Sequence, residues 1–135
     1  MSDKIHLKII THEKIVYEND IDELYVQTID GRMGILKNHI PVICALGFGV
    51  TKIIKNKADE CIATMGGILQ FANNQATILS DLAELECDID VARAKHAKER
   101  AEARMKAHDE AVDITRAQMA LAKAIARIST KEKKF

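Results

Sequence analysis

Tryptophan is absent from the 135 residues, tyrosine occurs twice and phenylalanine three times. The chain is therefore poor in rings on which nucleic-acid bases stack and in aromatic anchors for interfaces. Net charge is missing as well. Twenty basic side chains balance twenty acidic ones, which removes the electrostatic argument for a nucleic-acid or anionic-membrane partner. No apolar run approaches the roughly 18 residues that a transmembrane helix needs, so direct membrane insertion is not expected. The opening stretch MSDKIHLKII lacks the basic start, apolar core and small-residue cleavage site of a secretory signal. Cysteine is scarce and odd in number: Cys44, Cys61 and Cys87 fit neither a zinc knuckle nor a disulfide framework. Reduced thiols in a cytosolic setting are expected.

What is present divides in two. Residues 1–87 hold 8 basic and 12 acidic side chains, and residues 88–135 hold 12 and 8. All six glycines and Pro41 lie in the first part, whereas twelve of the eighteen alanines lie in the second. At about 100–200 residues per domain, this is one compact domain with an appendage, divided near residues 87–88. The first part reads as β. Residues 4–10 alternate Ile5, Leu7 and Ile9 with Lys4, His6 and Lys8, a period of two with one face buried. Residues 24–28, 49–55, 59–64, 67–71 and 75–79 follow as short strands rich in Val, Ile and Thr. The breaks between them carry Asp30-Gly31, Asn56-Lys57, Gly66-Gly67 and Asn73-Asn74, which are turn signals, with Gly66-Gly67 read as a hairpin. Strands at this spacing predict a sandwich or a barrel.

The second part contains no helix breaker and reads as two helices. Asp88 is placed to cap the first, whose apolar stripe is Ala94, Ala97, Ala101, Met105 and His108. A second stripe runs Ile114, Ala117, Leu121, Ile125 and Ile128, with Asp113 as its cap. The short link over residues 109–112 favours an antiparallel helical hairpin. A mostly alanine stripe gives a shallow pairing, because each buried methyl contributes only about 0.8 kcal/mol. Nothing in the link forbids one nearly continuous helix, so one reading is two arrangements a few kcal/mol apart, as a conformational switch requires, and the other is a hairpin that stays docked on the sandwich.

Candidate chemistry is sparse. His39 precedes Ile40-Pro41 after a loop carrying Gly31 and Gly34, with no nearby nucleophile in sequence, so no catalytic residue is assigned. His6, His12, His96 and His108 have no metal-binding spacing, and no metal site is assigned. The acidic run Asp81, Glu84, Glu86, Asp88 and Asp90 reads as solvated linker and helix cap. On the first helix Asp90, Arg93, Ala97, Arg100 and Arg104 share a face, and on the second Lys123 and Arg127 stand one turn apart. A closed hairpin brings these cations together, and guanidinium forks bind phosphate. A small anionic nucleotide is one reading; a solvated surface with pairs such as Glu102–Lys106 is the other.

Three motifs carry a resemblance. Residues 31–41, Gly-Arg-Met-Gly-Ile-Leu-Lys-Asn-His-Ile-Pro, are similar to the G-x-x-G-I-L-x-x-H-x-P turn of the epsilon-chain family of F-type ATP synthases, the equivalent of the mitochondrial delta subunit. Gly66-Gly67-Ile68-Leu69 with residues 74–79 resembles its second signature. Ile89-Asp90-Val91-Ala92-Arg93-Ala94 resembles the I/L-D-x-x-R-A motif that opens its helical domain. The resemblance spans nearly the whole chain. It implies an N-terminal all-β sandwich over 1–87, bound to the gamma subunit and the c-ring. It implies a C-terminal antiparallel α-helical hairpin over 88–135 that extends to the beta subunit and restrains ATP hydrolysis. It also implies a non-catalytic, peripheral subunit at the cytoplasmic membrane face, with no cofactor required. In some bacterial members the closed hairpin binds ATP. The matching positions here are Glu84, Ile89, Asp90, Arg93 and Ala94 around base and ribose, and Arg100, Lys123 and Arg127 toward the phosphates. Lys123 stands where an arginine is usual. The alternative is a free-standing β-sandwich binding module with a docked helical hairpin.

Overall fold

The computed structural model describes residues 4–107 and 114–133. Ten strands come first: β1 Ile5–Ile10, β2 Ile15–Ile21, β3 Glu23–Thr28, β4 Gly31–Leu36, β5 Val42–Ala45, β6 Phe48–Lys55, β7 Ala58–Met65, β8 Ile68–Ala72, β9 Gln75–Leu79 and β10 Leu82–Leu85. A 3₁₀ turn, Glu86–Asp88, leads to the helices α1 Val91–Ala107 and α2 Ile114–Glu132. The strands form two five-stranded sheets, ordered β2-β1-β9-β8-β5 and β10-β7-β6-β3-β4. The molecule is thus a sandwich with two appended helices. All pairings are antiparallel except β1 with β9.

The alternation in β1 does what its period predicts. Ile5, Leu7 and Ile9 are fully buried, and with Leu69, Phe71 and Ile78 they face Leu24, Val26, Ile35, Ile53 and Ile62 across the inter-sheet core. Thr51 and Thr64 are also buried, and their hydroxyls lie 2.8 Å apart in a mutual hydrogen bond. Asn56-Lys57 and Asn73-Asn74 are the hairpin turns expected of them, with positive φ at both residues of each pair.

Four strands escaped the sequence reading. Residues 31–36, taken as a loop because of Gly31 and Gly34, form β4, a strand paired along its length with β3. Gly34 is needed there because a β-carbon would stand 2.9 Å from the Tyr25 ring. Gly66-Gly67 is not a hairpin: it carries the chain from β7 in one sheet to β8 in the other. At Gly67, with φ +110°, a β-carbon would lie 2.1 Å from the Leu79 carbonyl oxygen, so only glycine permits this corner. The remaining three misses, β2, β5 and β10, are also strands at a sheet edge: exposure on both faces blurs alternation in β2 and β5, and β10 is only four residues long.

The helices pack on each other and α2 lies across β6 and β7. Register explains the seat. In β7, Ile62 points into the core, so Ala63 and Met65 point outward, toward α2. There Ala126 of α2 closes a small cluster with Ala63, Met65 and Ile89, flanked by Phe48 and Leu82. Ala94 and Ala101 of α1 and Ala117 of α2 are buried, as the stripes predict, and so is Ala124, which the second stripe does not include. Ile125 is not: it is 45% exposed, and Ala124 takes the interior position instead. The helix cap also differs. Asp90, not Asp88, accepts the Arg93 N–H at 3.1 Å, and Asp88 belongs to the preceding 3₁₀ turn. His108, Asp113 and the 109–112 link lie outside the described residues.

Candidate functional site

Glu84 is set by the same register that builds the helix seat. It pairs with Ala63 on β7, so its side chain shares the outward face with Ala63. Arg127 follows Ala126 on α2 and meets it there. The guanidinium Nε donates to both carboxylate oxygens, at 2.9 and 3.1 Å, and Nη2 donates to Oε1 at 2.7 Å. Both side chains are about three-quarters removed from solvent. This forked geometry is the strong form of an arginine–carboxylate contact.

Beside the pair opens a cleft of about 400 Å³, lined by Glu84 and Arg127, by Asp88 and Asp90, and by Arg93, Ala94, Ala97 and Arg100. Four separate pieces of chain build it: β10, the 3₁₀ turn, the first turns of α1, and α2. Its charge is balanced, three carboxylates against three guanidinium groups. The two alanines leave a flat, uncharged strip of backbone and methyl between them.

Of the residues singled out in sequence, the cleft brings together Glu84, Asp90, Arg93, Ala94, Arg100 and Arg127. It does not gather Ile89, which is buried against Ala63, Met65 and Ala126, nor Lys123 or Arg104. Asp88 lines it although the sequence reading used that residue as a cap. The Glu84–Arg127 pair was not anticipated either. The resemblance puts both residues around one site, on its ribose and phosphate sides, but their direct contact, between positions 43 residues apart, follows only from the strand register. Glu102 pairs with Lys98, 3.8 Å away and one turn earlier, rather than with Lys106 as expected.

Elsewhere the candidate residues have structural work. Nδ1 of His39 lies 2.7 Å from the Ile40 carbonyl oxygen, and its ring packs edge-on against Phe71. Asn38 and Asn74 clasp each other, Asn38 N–H to Asn74 Oδ1 at 2.6 Å and Asn74 Nδ2 to Asn38 Oδ1 at 3.1 Å. That clasp ties the first glycine motif to the second. The three cysteines are free thiols, and burial pushes those of Cys44 and Cys61 up, toward the unreactive protonated form. Among the described residues, no group of three His, Cys, Asp or Glu side chains is arranged to hold a metal ion. No helix among them is long and apolar enough to cross a membrane.

Comparison with known proteins places these features. Residues 4–86 match the family model described as the ATP synthase delta/epsilon chain, beta-sandwich domain, and residues 88–132 match its long alpha-helix domain. The chain is 40% identical over 125 residues to the ATP synthase epsilon chain of Halalkalibacterium halodurans, covering 92% of this chain and 94% of that one. It is 41% identical over 128 residues to that of Syntrophomonas wolfei, covering 94% and 93%. With the chain from Syntrophobacter fumaroxidans, identity is 39% over 98% of this chain and 99% of that one. Among solved structures, a chain of the Euglena gracilis mitochondrial ATP synthase (OSCP/F1/c-ring) shares the fold, with a TM-score of 0.82 at 20% identity. That match covers 93% of this chain and 80% of the other.

Proposed function

The chain belongs to the ATP synthase delta/epsilon family, as an epsilon chain and hence a non-catalytic one, and from that premise we propose a central-stalk subunit whose helices restrain ATP hydrolysis. In this reading the sandwich holds the gamma subunit and the c-ring, and the hairpin, when lifted, reaches the beta subunit. A chain of the central stalk and c-ring of the Tetrahymena thermophila mitochondrial ATP synthase has a similar fold, with a TM-score of 0.55 at 14% identity.

A single observation supports the regulatory part: the cleft exists only while α1, α2 and β10 lie together. A ligand that fills it binds the folded-down posture and not a lifted one, and by linkage it shifts the population toward that posture. The ligand proposed is ATP. Ala94 and Ala97 offer the flat strip to the base, Asp90 and Glu84 offer acceptors to its amino and ribose hydroxyl groups with Arg93 on the same side, and Arg100 and Arg127 offer charge to the phosphates. Lys123 and Ile89 stand outside the cleft in this posture, so their part is indirect.

Two measurements test this. Removing residues 88–135 is expected to leave a folded sandwich that still binds gamma and to raise ATP hydrolysis by the assembled enzyme; unchanged hydrolysis refutes the restraint. Titration calorimetry of the isolated full chain is expected to detect ATP binding that Arg93→Ala or Arg100→Ala weakens at least tenfold, the worth of a charge-assisted contact of about 1.5–3 kcal/mol. No heat at millimolar ATP removes the ligand from the account.

A further inference from the structure

The seat of α2 on the sandwich is short of apolar area. One alanine, Ala126, enters the cluster formed by Ala63, Met65 and Ile89, and the neighbouring Thr130 hydroxyl turns back to the Ala126 carbonyl at 2.8 Å instead of reaching the sheet. Against this background, a strongly directional contact between the sheet edge and α2 is the fork from Arg127 to Glu84. A weaker one follows a turn later, where Lys131 Nζ donates to the Glu86 carbonyl at 3.2 Å. Both lie on the same edge, beside β10 and the turn that leaves it.

We propose that the Glu84–Arg127 ion pair is the latch that holds α2 on the sandwich when no ligand occupies the cleft. Partial burial on both sides protects it from full screening, and its two-oxygen geometry fixes the helix in azimuth as well as in height. The latch also sets the terms for a ligand. Arg127 in this posture is engaged by a protein carboxylate, so an entering phosphate must draw it away from Glu84, replacing one anion with another. The folded-down posture is thereby held by a carboxylate without ligand and by a phosphate with it. The second half of that statement rests on the nucleotide reading above; the latch itself does not.

The test is amide hydrogen exchange on the full chain without nucleotide. Glu84→Gln or Arg127→Gln is expected to speed exchange of the α2 amides around residues 117–130 about tenfold, as loss of a charged hydrogen bond of this kind implies. Amides of β1 and β9 are expected to stay as protected as in the wild type. Arg127→Lys keeps the charge and loses the fork, and falls between the two. The exchanged pair, Glu84→Arg with Arg127→Glu, is expected to restore protection while removing ATP affinity, which separates the latch from the ligand site. Should a single variant fail to fold, the wild type in about 1 M salt, where screening acts over about 3 Å, is expected to show a smaller loosening that is likewise confined to α2, because the pair is only partly exposed. Unchanged α2 exchange in the single variants, or in salt, overturns the latch. So does an exchanged pair as loose as either single variant.

Discussion

Between the two sheets, Ile5, Leu7, Ile9, Leu69, Phe71 and Ile78 meet Leu24, Val26, Ile35, Ile53 and Ile62, nearly all without solvent exposure. Between the two helices, the buried positions are Ala94, Ala101, Ala117 and Ala124. The contrast is one of area per contact. A large aliphatic side chain gains about 1.5–3 kcal/mol on full burial, against about 0.8 for a methyl. Burial therefore ties the strands to one another far more firmly than it ties the helices to one another. The family fold is thus built here from a core of large side chains and an alanine-packed pair of helices; in the function proposed above, the helices are the part that lifts, and they carry the cleft arginines Arg93, Arg100 and Arg127.

The sharpest way to break this comparison is to cut equally deep on each side. Ile78→Ala is expected to lower the stability of the whole sandwich by about 2–5 kcal/mol, seen as a displaced urea midpoint followed by β-strand exchange. Ala126→Leu over-fills the α2 seat and is expected to cost about 1–3 kcal/mol, but only locally. Its mark is faster exchange in α2 with an unmoved sandwich midpoint. If Ala126→Leu lowers the sandwich midpoint as Ile78→Ala does, the two parts fold as one unit and the distinction fails.

The same contrast governs what could be read from the sequence. Period-two alternation located β1 and its buried face because a sandwich strand with one wet side must alternate. Asn56-Lys57 and Asn73-Asn74 marked their turns because asparagine tolerates the positive φ that such turns need. Edge strands β2 and β5 lack that enforcement, since both of their faces see solvent, and Gly31 and Gly34 disguised β4 as a loop although Gly34 only makes room for Tyr25. In the helices, spacing found the cleft-lining arginines Arg93 and Arg100 because a helix face repeats regularly. It could not find the partner of Arg127, because β10 is short and its register with β7, which alone turns Glu84 outward, is a tertiary fact. Ile125 misled for a related reason: α2 has two packed sides, one against α1 and one against β6 and β7, and its buried stripe is not the one a single-sided helix would have.

The smallest expected effect belongs to the sandwich alone and tests its independence from the helices. On the outer face of the β1–β2 ribbon, His6 Nδ1 lies 2.8 Å from Asp20 and Nε2 lies 2.9 Å from Glu18, while Lys8 stands opposite Glu18 in register. Hydrogen bonds to Asp20 and then Glu18 raise the imidazole above its ordinary value of 6.5. A histidine whose folded-state value is raised stabilises the fold fully below its unfolded value and loses that contribution as pH climbs through the folded one. Stability of the wild type is therefore expected to decline slightly from about pH 6.5 upward, and the exposed position of the ring keeps the decline small. In His6→Gln that slope is expected to vanish, and α2 exchange is expected to be indifferent to the substitution at every pH. An NMR titration placing the His6 value at or below 6.5 would contradict the cross-strand charge pair.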